Sequence, residues 1–145
     1  MKIRIIIISH RDEGAATDLF NDYLVRLKHY CTLEILALKS STPKDEAVLV
    51  LKNISGNEEM ILLEESGKEF SSQEFSGWLQ KKMNASKNLC FVVGSAYGFD
   101  ASLKKKSAMM ISLSKMTLPH QLAKVIFAEQ LYRAFTILRN EKYHH

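Results

Sequence analysis

The sequence has few of the residues that staple or interrupt a chain: two cysteines, two prolines and six glycines among 145 residues. Cys31 and Cys90 lie in or beside apolar segments, which predicts buried free thiols in a reducing compartment and argues against a disulfide framework. Long apolar runs are lacking too, because the run that ends at Ile8 is followed at once by polar residues. Such a run neither spans a membrane nor forms a signal peptide, so we expect a cytoplasmic protein with no membrane contact.

Signatures of nucleotide and metal binding are also missing. Gly94 and Gly98 do not complete the G-x-G-x-x-G dinucleotide fingerprint, and no Gly-Lys-Ser/Thr closes them into a P-loop. The five histidines lack metal-ligand spacing, so we predict no metal. The remaining composition, 46% hydrophobic and 25% charged, is that of a globular protein and predicts one domain over residues 1–145.

Basic charge is modest and locally clustered. A net charge of +4 hardly favours an anionic partner by itself. The run Lys104-Lys105-Lys106 indicates either a solvated helix face or a phosphate contact, and the sequence leaves both open. Arg139, Lys142 and two histidines form a second basic cluster close to residue 145.

Apolar runs and helical periodicity alternate along the chain. The runs predict five strands, at Ile3–Ile8, Leu33–Leu38, Met60–Leu63, Leu89–Val93 and Ala108–Leu113. Apolar residues spaced by three and four predict four helices, at about 15–30, 43–55, 72–83 and 120–139. Ser71, with Glu74 three residues later, predicts a capping box, and Ser66-Gly67-Lys68 predicts a turn. Strands alternating with helices predict a parallel α/β sheet with helices on both faces.

The last predicted helix is apolar on nearly every side. A narrow polar stripe is predicted at Gln121, Lys124, Arg133 and Thr136. A helix of this kind is covered on both sides, so we expect it to meet its own sheet and a second subunit in a symmetric pair. The central helix of a monomer is the alternative. Glu129 and Arg133 are interpreted as an ion pair, either across that interface or solvated.

Two motifs in the last third, taken together, are specific. Gly94-Ser95-Ala96-Tyr97-Gly98 follows a strand, and Ser-Leu-Ser-Lys-Met-Thr-Leu-Pro-His-Gln at 112–121 opens a helix that is followed by Tyr143-His144-His145. In this order they resemble the ribosomal RNA large-subunit methyltransferase H family of small SPOUT-class enzymes, most strongly from Phe91 to His145. The resemblance implies a C-terminal trefoil knot in an α/β fold, a homodimer and S-adenosylmethionine as cofactor. It further implies methylation at N3 of a pseudouridine in 23S rRNA, on assembled ribosomes.

The same resemblance implies a cofactor site. Carried over position by position, its residues are Leu63, Gly94, Leu113, Ser114, Lys115, Met116, Thr117 and Leu118. A bent S-adenosylmethionine needs backbone groups at its adenine edge and apolar walls around the ring, which the leucines would supply. Gly94 has no Cβ and lets the backbone approach the ligand. Plain core packing is the alternative role for the leucines.

The N3 atom of the base that receives the methyl group must lose a proton, so a proton acceptor is expected near it. His120, Tyr143 and His144 are the candidate catalytic residues, and the family resemblance implies that the last two complete the partner subunit's site. His145 stands where a basic residue is common in the family.

Two features depart from the family. Ser95 stands in place of a second glycine and would shift the backbone or add a hydroxyl near the ligand. The segments Ser9–Ala16 and Lys39–Lys44 look short, which puts the rRNA contacts expected there in doubt. Two alternatives therefore stay open: a related knotted methyltransferase acting on tRNA, against which the motif order argues, and an inactive ribosome-binding homologue, which only Ser95 suggests.

Overall fold

The fold is built on one parallel five-stranded sheet in the order β2-β1-β4-β3-β5, seen in a computed structural model that describes residues 1–9 and 14–145. The strands are β1 (Lys2–Ser9), β2 (Thr32–Lys39), β3 (Glu58–Glu69), β4 (Asn88–Val93) and β5 (Met109–Ser112). The helices are α1 (Ala15–Leu27), α2 (Pro43–Asn53), α3 (Ser72–Asn84), α4 (Ala101–Lys106) and α5 (His120–Leu138). Residues 10–13, within the segment noted as short after the first strand, lie outside the described residues.

Strand β1 lies inside the sheet and is covered on both faces, as its β-branched run, interrupted only by Arg4, predicts. Successive side chains point to opposite faces. Ile3, Ile5 and Ile7 pack with α1, α3 and α5, whereas Ile6 and Ile8 pack with residues of α2 and α4. All five isoleucines are at most 3% exposed. The predicted parallel α/β sheet with helices on both faces is confirmed.

Helix starts follow the capping signals in the sequence. Ser71 accepts a hydrogen bond from the Glu74 backbone N–H, and the Glu74 carboxylate accepts one from the Ser71 backbone N–H, so the predicted capping box is confirmed. Pro43 occupies the first turn of α2, where its missing N–H costs nothing, and the Thr42 hydroxyl accepts from the Asp45 backbone N–H.

Two local predictions were wrong or incomplete. Ser66-Gly67-Lys68 is no turn: it continues β3 through an irregularity after Leu63, where the pairing with β5 shifts register. Gly67 lies so close to β5 that a Cβ would meet the Met110 backbone at 2.6 Å. The short helix α4, capped by Asp100, was absent from the predicted elements, because six residues are too few to show a helical period.

Helix α5 contacts the sheet and is also flanked by α1 and α3. The predicted polar stripe is wrong at Lys124 and Thr136, which are 1% and 0% exposed. The Lys124 ammonium donates to the Thr17 hydroxyl at 2.8 Å, at the contact with α1. The most exposed residues of α5 are apolar: Leu122 and Ile126 are 51% and 36% exposed. In the described part of the chain, no helix has the length and apolar character needed to cross a membrane.

Candidate active site

A cavity of about 410 Å³ lies at the carboxyl edge of the sheet. Its volume falls within the roughly 300–1,000 Å³ typical of small-molecule sites. Ligands of open α/β sheets bind at this edge, where strands end in loops. Two loops line the cavity: the β4–α4 loop, residues 94–100, and the β5–α5 loop, residues 113–119. Residues 63–65 of β3, Val93 of β4, and His120 and Ala123 of α5 also line it.

Most of the predicted cofactor residues meet in this cavity. Seven of the eight line it: Leu63, Gly94, Leu113, Ser114, Met116, Thr117 and Leu118. Lys115 is not among the lining residues; its side chain is 84% exposed, and its ammonium lies 3.5 Å from the Glu69 carboxylate. The three leucines are half-buried, so they are neither sealed in the core nor free in solvent. They form apolar walls that a ligand can reach.

The β4–α4 loop is tied to the interior of the molecule. The Ser95 hydroxyl donates to Glu46 Oε1 at 3.0 Å, and the Ser40 hydroxyl and Ser41 backbone N–H donate to Glu46 Oε2 at 3.0 and 2.8 Å. Glu46 is 3% exposed, and these donors compensate the removal of its carboxylate from water. Ser95 therefore fastens the loop to Glu46 of α2, which also binds Ser40 and Ser41 after β2.

Gly94 is required by a packing contact inside the same loop. A Cβ at this position would lie 2.8 Å from the ring of Phe99, which also lines the cavity. The space left by the missing Cβ of Gly94 is therefore occupied by the Phe99 ring.

The β5–α5 loop is held by contacts nearer the surface. The Ser114 hydroxyl accepts from the Met116 backbone N–H at 3.0 Å, and the Thr117 hydroxyl donates to Glu65 Oε2 at 2.7 Å. Lys115, Met116 and Thr117 are all exposed. The bond from Thr117 to Glu65 joins this loop to β3 beside the cavity.

Glu64 and Glu65 are cavity residues that the sequence reasoning missed. They follow the predicted end of the third strand, and their signal was the pair of carboxylates directly after Leu63. Burial raises the pKa of Glu64, but hydrogen bonds from Ser66 and the Lys104 ammonium at 3.7 Å outweigh it and hold that pKa below its ordinary value. Glu64 is therefore ionised at neutral pH, which gives one wall of the cavity a negative charge.

His120 lies at the start of α5 and lines the cavity. Its ring nitrogen Nδ1 contacts the Gly94 carbonyl oxygen. A carbonyl oxygen only accepts hydrogen bonds, so Nδ1 carries a proton and donates it to this oxygen. The contact also joins the first turn of α5 to the β4–α4 loop.

Tyr143 and His144, the other candidate catalytic residues, are not among the residues that line the cavity. The Tyr143 hydroxyl donates to Glu129 Oε1 at 3.0 Å, and an Arg133 nitrogen donates to His144 Nδ1 at 3.1 Å. Glu129 and Arg133 pair with each other at 2.6 Å, one turn apart on α5, so their ion pair forms within one chain. Burial, with hydrogen bonds to Tyr23 and Glu129, raises the pKa of Tyr143, so its phenol stays protonated at neutral pH.

Metal ligands do not gather anywhere in residues 1–9 and 14–145: no three His, Cys, Asp or Glu side chains are arranged to hold an ion. Cys90 is buried, and burial raises the pKa of its thiol to about 12, so it is neither a ready ligand nor a nucleophile.

The chain matches a known class of proteins. The family described as predicted SPOUT methyltransferase matches residues 1–144. Among solved structures, Lpg2936 from Legionella pneumophila with bound cofactor SAM is similar with a TM-score of 0.48 and 10% identity, covering 92% of this chain and 66% of that one.

Curated relatives narrow the class to one family. Ribosomal RNA large subunit methyltransferase H of Flavobacterium johnsoniae is 46% identical over 156 residues, covering 100% of this chain and 99% of that protein. The protein of the same name from Parabacteroides distasonis is 42% identical with the same coverage. The chain belongs to the ribosomal RNA large subunit methyltransferase H family of SPOUT methyltransferases, and the resemblance found in its motifs is confirmed.

Proposed function

We propose that this chain transfers a methyl group from S-adenosylmethionine to N3 of a pseudouridine in 23S rRNA, on assembled ribosomes in the cytoplasm. Family membership supports methyl transfer to ribosomal RNA. The observation that carries the proposal is the cavity at the strand ends, which gathers seven of the eight residues implied for the cofactor. The target nucleotide and its N3 position rest on the family resemblance.

The cavity suits S-adenosylmethionine chemically. Leu63, Leu113 and Leu118 offer apolar walls to a flat ring, and carboxylates at Glu64 and Glu65 offer negative charge to a cation. When bound there, S-adenosylmethionine would supply an electrophilic methyl group on a positively charged sulfur. The walls hold the donor in one orientation, and orientation supplies much of the rate of an in-line displacement.

His120 is the best-placed proton acceptor for the acceptor base. Its Nδ1 proton is directed to the Gly94 carbonyl, and its ring lies on the cavity wall. His120 is the catalytic candidate that lines the cavity, so we assign it the role of accepting the N3 proton. Tyr143 serves as a hydrogen-bond donor, because its raised pKa keeps the phenol protonated.

A homodimer brings Tyr143 and His144 to the site. In one chain these residues pack on Glu129 and Arg133 of α5 and do not reach the cavity lining. The exposed Leu122 and Ile126 lie on the same helix, and an apolar strip of this kind is suited to a two-fold interface. The trefoil knot that the family resemblance implies belongs to this proposal, as does a single domain over residues 1–145.

Mass spectrometry of ribosomal RNA tests the reaction. Cells that lack this chain should lose one methyl group from one pseudouridine of 23S rRNA, and the wild-type gene should restore it. Purified protein with S-adenosylmethionine should then methylate ribosomes from the deficient cells, and Val48→Ala, which is exposed on α2 and does not line the cavity, serves as a control. Full methylation in the deficient cells, or transfer to tRNA instead, would reject the proposal.

Mixing two inactive variants tests the shared site. Gly94→Val damages the cavity, and deletion of residues 143–145 removes the tail, so each homodimer is expected to be inactive. In a mixed dimer, the subunit without a tail has the intact cavity, and the Gly94→Val subunit has the intact tail. If the tail acts on the partner's cavity, these two meet and form one complete site. An equal mixture should recover about a quarter of the wild-type rate, because half of the pairs are mixed and each holds one complete site. No recovery in a mixture that sedimentation shows to have exchanged subunits would place the tail in its own chain's site.

A further inference from the structure

Four of the five tyrosines pack in one aromatic cluster, and the fifth stands apart. Tyr23 and Tyr143 lie 6.0 and 4.8 Å, centroid to centroid, from the ring of Tyr132, and Tyr30 stacks on Phe135 at 5.4 Å. Tyr97 is 72% exposed. Within the described residues its ring meets no other ring and its hydroxyl forms no hydrogen bond. The fold itself gains little from an aromatic side chain at this position.

The turn that carries Tyr97 is well anchored. The Gly98 backbone N–H donates to the Ser95 carbonyl at 3.3 Å, so Tyr97 sits at the tip of a four-residue turn. Gly98 has φ of 77°, a conformation that glycine adopts without strain. Ser95, at the base of the turn, is fastened to the buried Glu46. Turn tips favour small or polar residues, so a large ring presented on an anchored turn calls for a partner outside the chain.

Tyr97 lies beside the proposed cofactor cavity. Its neighbours Ala96 and Gly98 both line that cavity. Met116, on the other loop, lines the cavity as well and is 77% exposed, the highest exposure among the large hydrophobic residues of the described chain. The two loops therefore present an aromatic ring and a pliable thioether at the place where an acceptor must approach a donor bound in the cavity.

Exposed lysines lie close in sequence to these two side chains. Lys105 and Lys106 follow on α4, are exposed, and form no ion pair with any described residue. Lys115 precedes Met116, and its contact with Glu69 is exposed on both sides, which makes it weak in water. An exposed aromatic ring with exposed ammonium groups nearby in the chain is a combination that binds unpaired bases and their phosphates.

We propose that Tyr97 is a stacking platform for an unpaired nucleobase of the RNA substrate, with Met116 as the apolar contact on the facing loop. The neighbouring lysines contact the phosphates. This proposal rests on the proposed RNA methyltransferase function and assigns that function a substrate-binding residue. Stacking needs a ring and not a hydroxyl, so Tyr97→Phe should behave as wild type.

Steady-state kinetics on ribosomes from cells lacking this chain test the role of Tyr97. Tyr97→Ala should raise the KM for ribosomes at least about fivefold, equivalent to roughly 1 kcal/mol of lost stacking. Its kcat and its calorimetric affinity for S-adenosylmethionine should stay near wild type, which a merely structural role would not predict. Tyr97→Phe should keep the wild-type KM. An unchanged KM for Tyr97→Ala, or an equal rise for Tyr97→Phe, would overturn the stacking platform.

A second measurement distinguishes failure of the stacking proposal from failure of the proposed methyltransferase function. Binding to the same ribosomes, by co-sedimentation with S-adenosylhomocysteine present, should weaken in Tyr97→Ala by the same factor as KM. Val25→Ala is the matched control, because Val25 is 62% exposed on α1 and does not line the cavity, and its binding should not change. Absence of any methylation by the wild-type protein would reject the proposed function. Methylation with unaltered binding in Tyr97→Ala would reject the platform alone.

Discussion

The two loops that line the cavity are held in opposite ways. The β4–α4 loop is held by contacts toward the protein interior. Ser95 binds the buried Glu46, and the Gly94 carbonyl contacts His120. The β5–α5 loop is fastened at the surface, through Thr117 to Glu65 and Lys115 to Glu69. Surface contacts compete with water and cost little to break. One wall of the site is therefore held by a buried carboxylate, and we call it the fixed wall. The other is held by exposed contacts, and we call it the adjustable wall.

Removing the buried anchor of the fixed wall should have the largest effect. Glu46→Ala leaves the Ser40, Ser41 and Ser95 donors without their acceptor, which should lower the free energy of unfolding by about 3 kcal/mol. Urea denaturation measures this, with the exposed Val48→Ala on the same helix as control, expected within about 0.5 kcal/mol. Equal stability of the two variants would mean that the fixed wall has another anchor.

Gly94→Val should come next. Its side chain must displace the Phe99 ring, which lies 2.8 Å from the Cβ position, and overpacking of this kind costs about 2 kcal/mol. The displaced ring should also enter the cavity, so we expect S-adenosylmethionine binding to be lost in calorimetry. Gly77→Val is the control, because nothing lies within 4 Å of a Cβ there. Wild-type cofactor affinity in folded Gly94→Val would remove Gly94 from the site.

The Ser95 hydroxyl should contribute less than Glu46 as a whole. Ser95→Ala removes one of the three hydrogen bonds to the Glu46 carboxylate and should cost about 1 kcal/mol in unfolding free energy. Ser95→Thr keeps the hydroxyl, so its unfolding free energy should lie close to that of the wild type. If alanine and threonine behave alike, the hydroxyl does not hold the loop.

The adjustable wall should show the smallest change in stability. Thr117→Val and Glu65→Gln each weaken an exposed hydrogen bond, so unfolding free energies should stay within about 0.5 kcal/mol of wild type. Cofactor affinity should still fall by about threefold in each, because the loop loses its link to β3, and the double variant should fall no further. Additive losses would mean that the two residues act separately. Thr117→Ser, which retains the donor, is the control.

The fold and the location of the cavity were largely predictable because they follow from local patterns. Apolar runs identified all five strands, and strand ends in a parallel sheet bring Leu63, Gly94 and Leu113 to one edge. Lys115 shows the limit of such reasoning, since its place in the motif did not determine which way its side chain points. The cofactor role of the seven predicted residues that line the cavity stays a prediction.

The anchors of the site could not be predicted, because they join distant parts of the chain. Ser95 and Glu46 lie 49 residues apart and Thr117 and Glu65 lie 52 apart, and neither pair has a local signature. The polar stripe predicted on α5 failed for the same reason: α1 covers Lys124, and nothing within the helix reveals that neighbour. Likewise, Ser66-Gly67-Lys68 has the composition of a turn, but Gly67 serves a backbone contact with β5.

The interior position of β1 has a consequence for how the chain folds. The Lys2 backbone N–H on β1 donates to the side chain of Asn88, 86 residues later, at the start of β4. The sheet therefore closes only through contacts of high sequence separation, which carry a large entropic cost before they stabilise anything. Refolding should take milliseconds to seconds, slower than a helical bundle of this size. Until β4 arrives, the hydrophobic strand β1 presents an open edge on which chains at high concentration can aggregate.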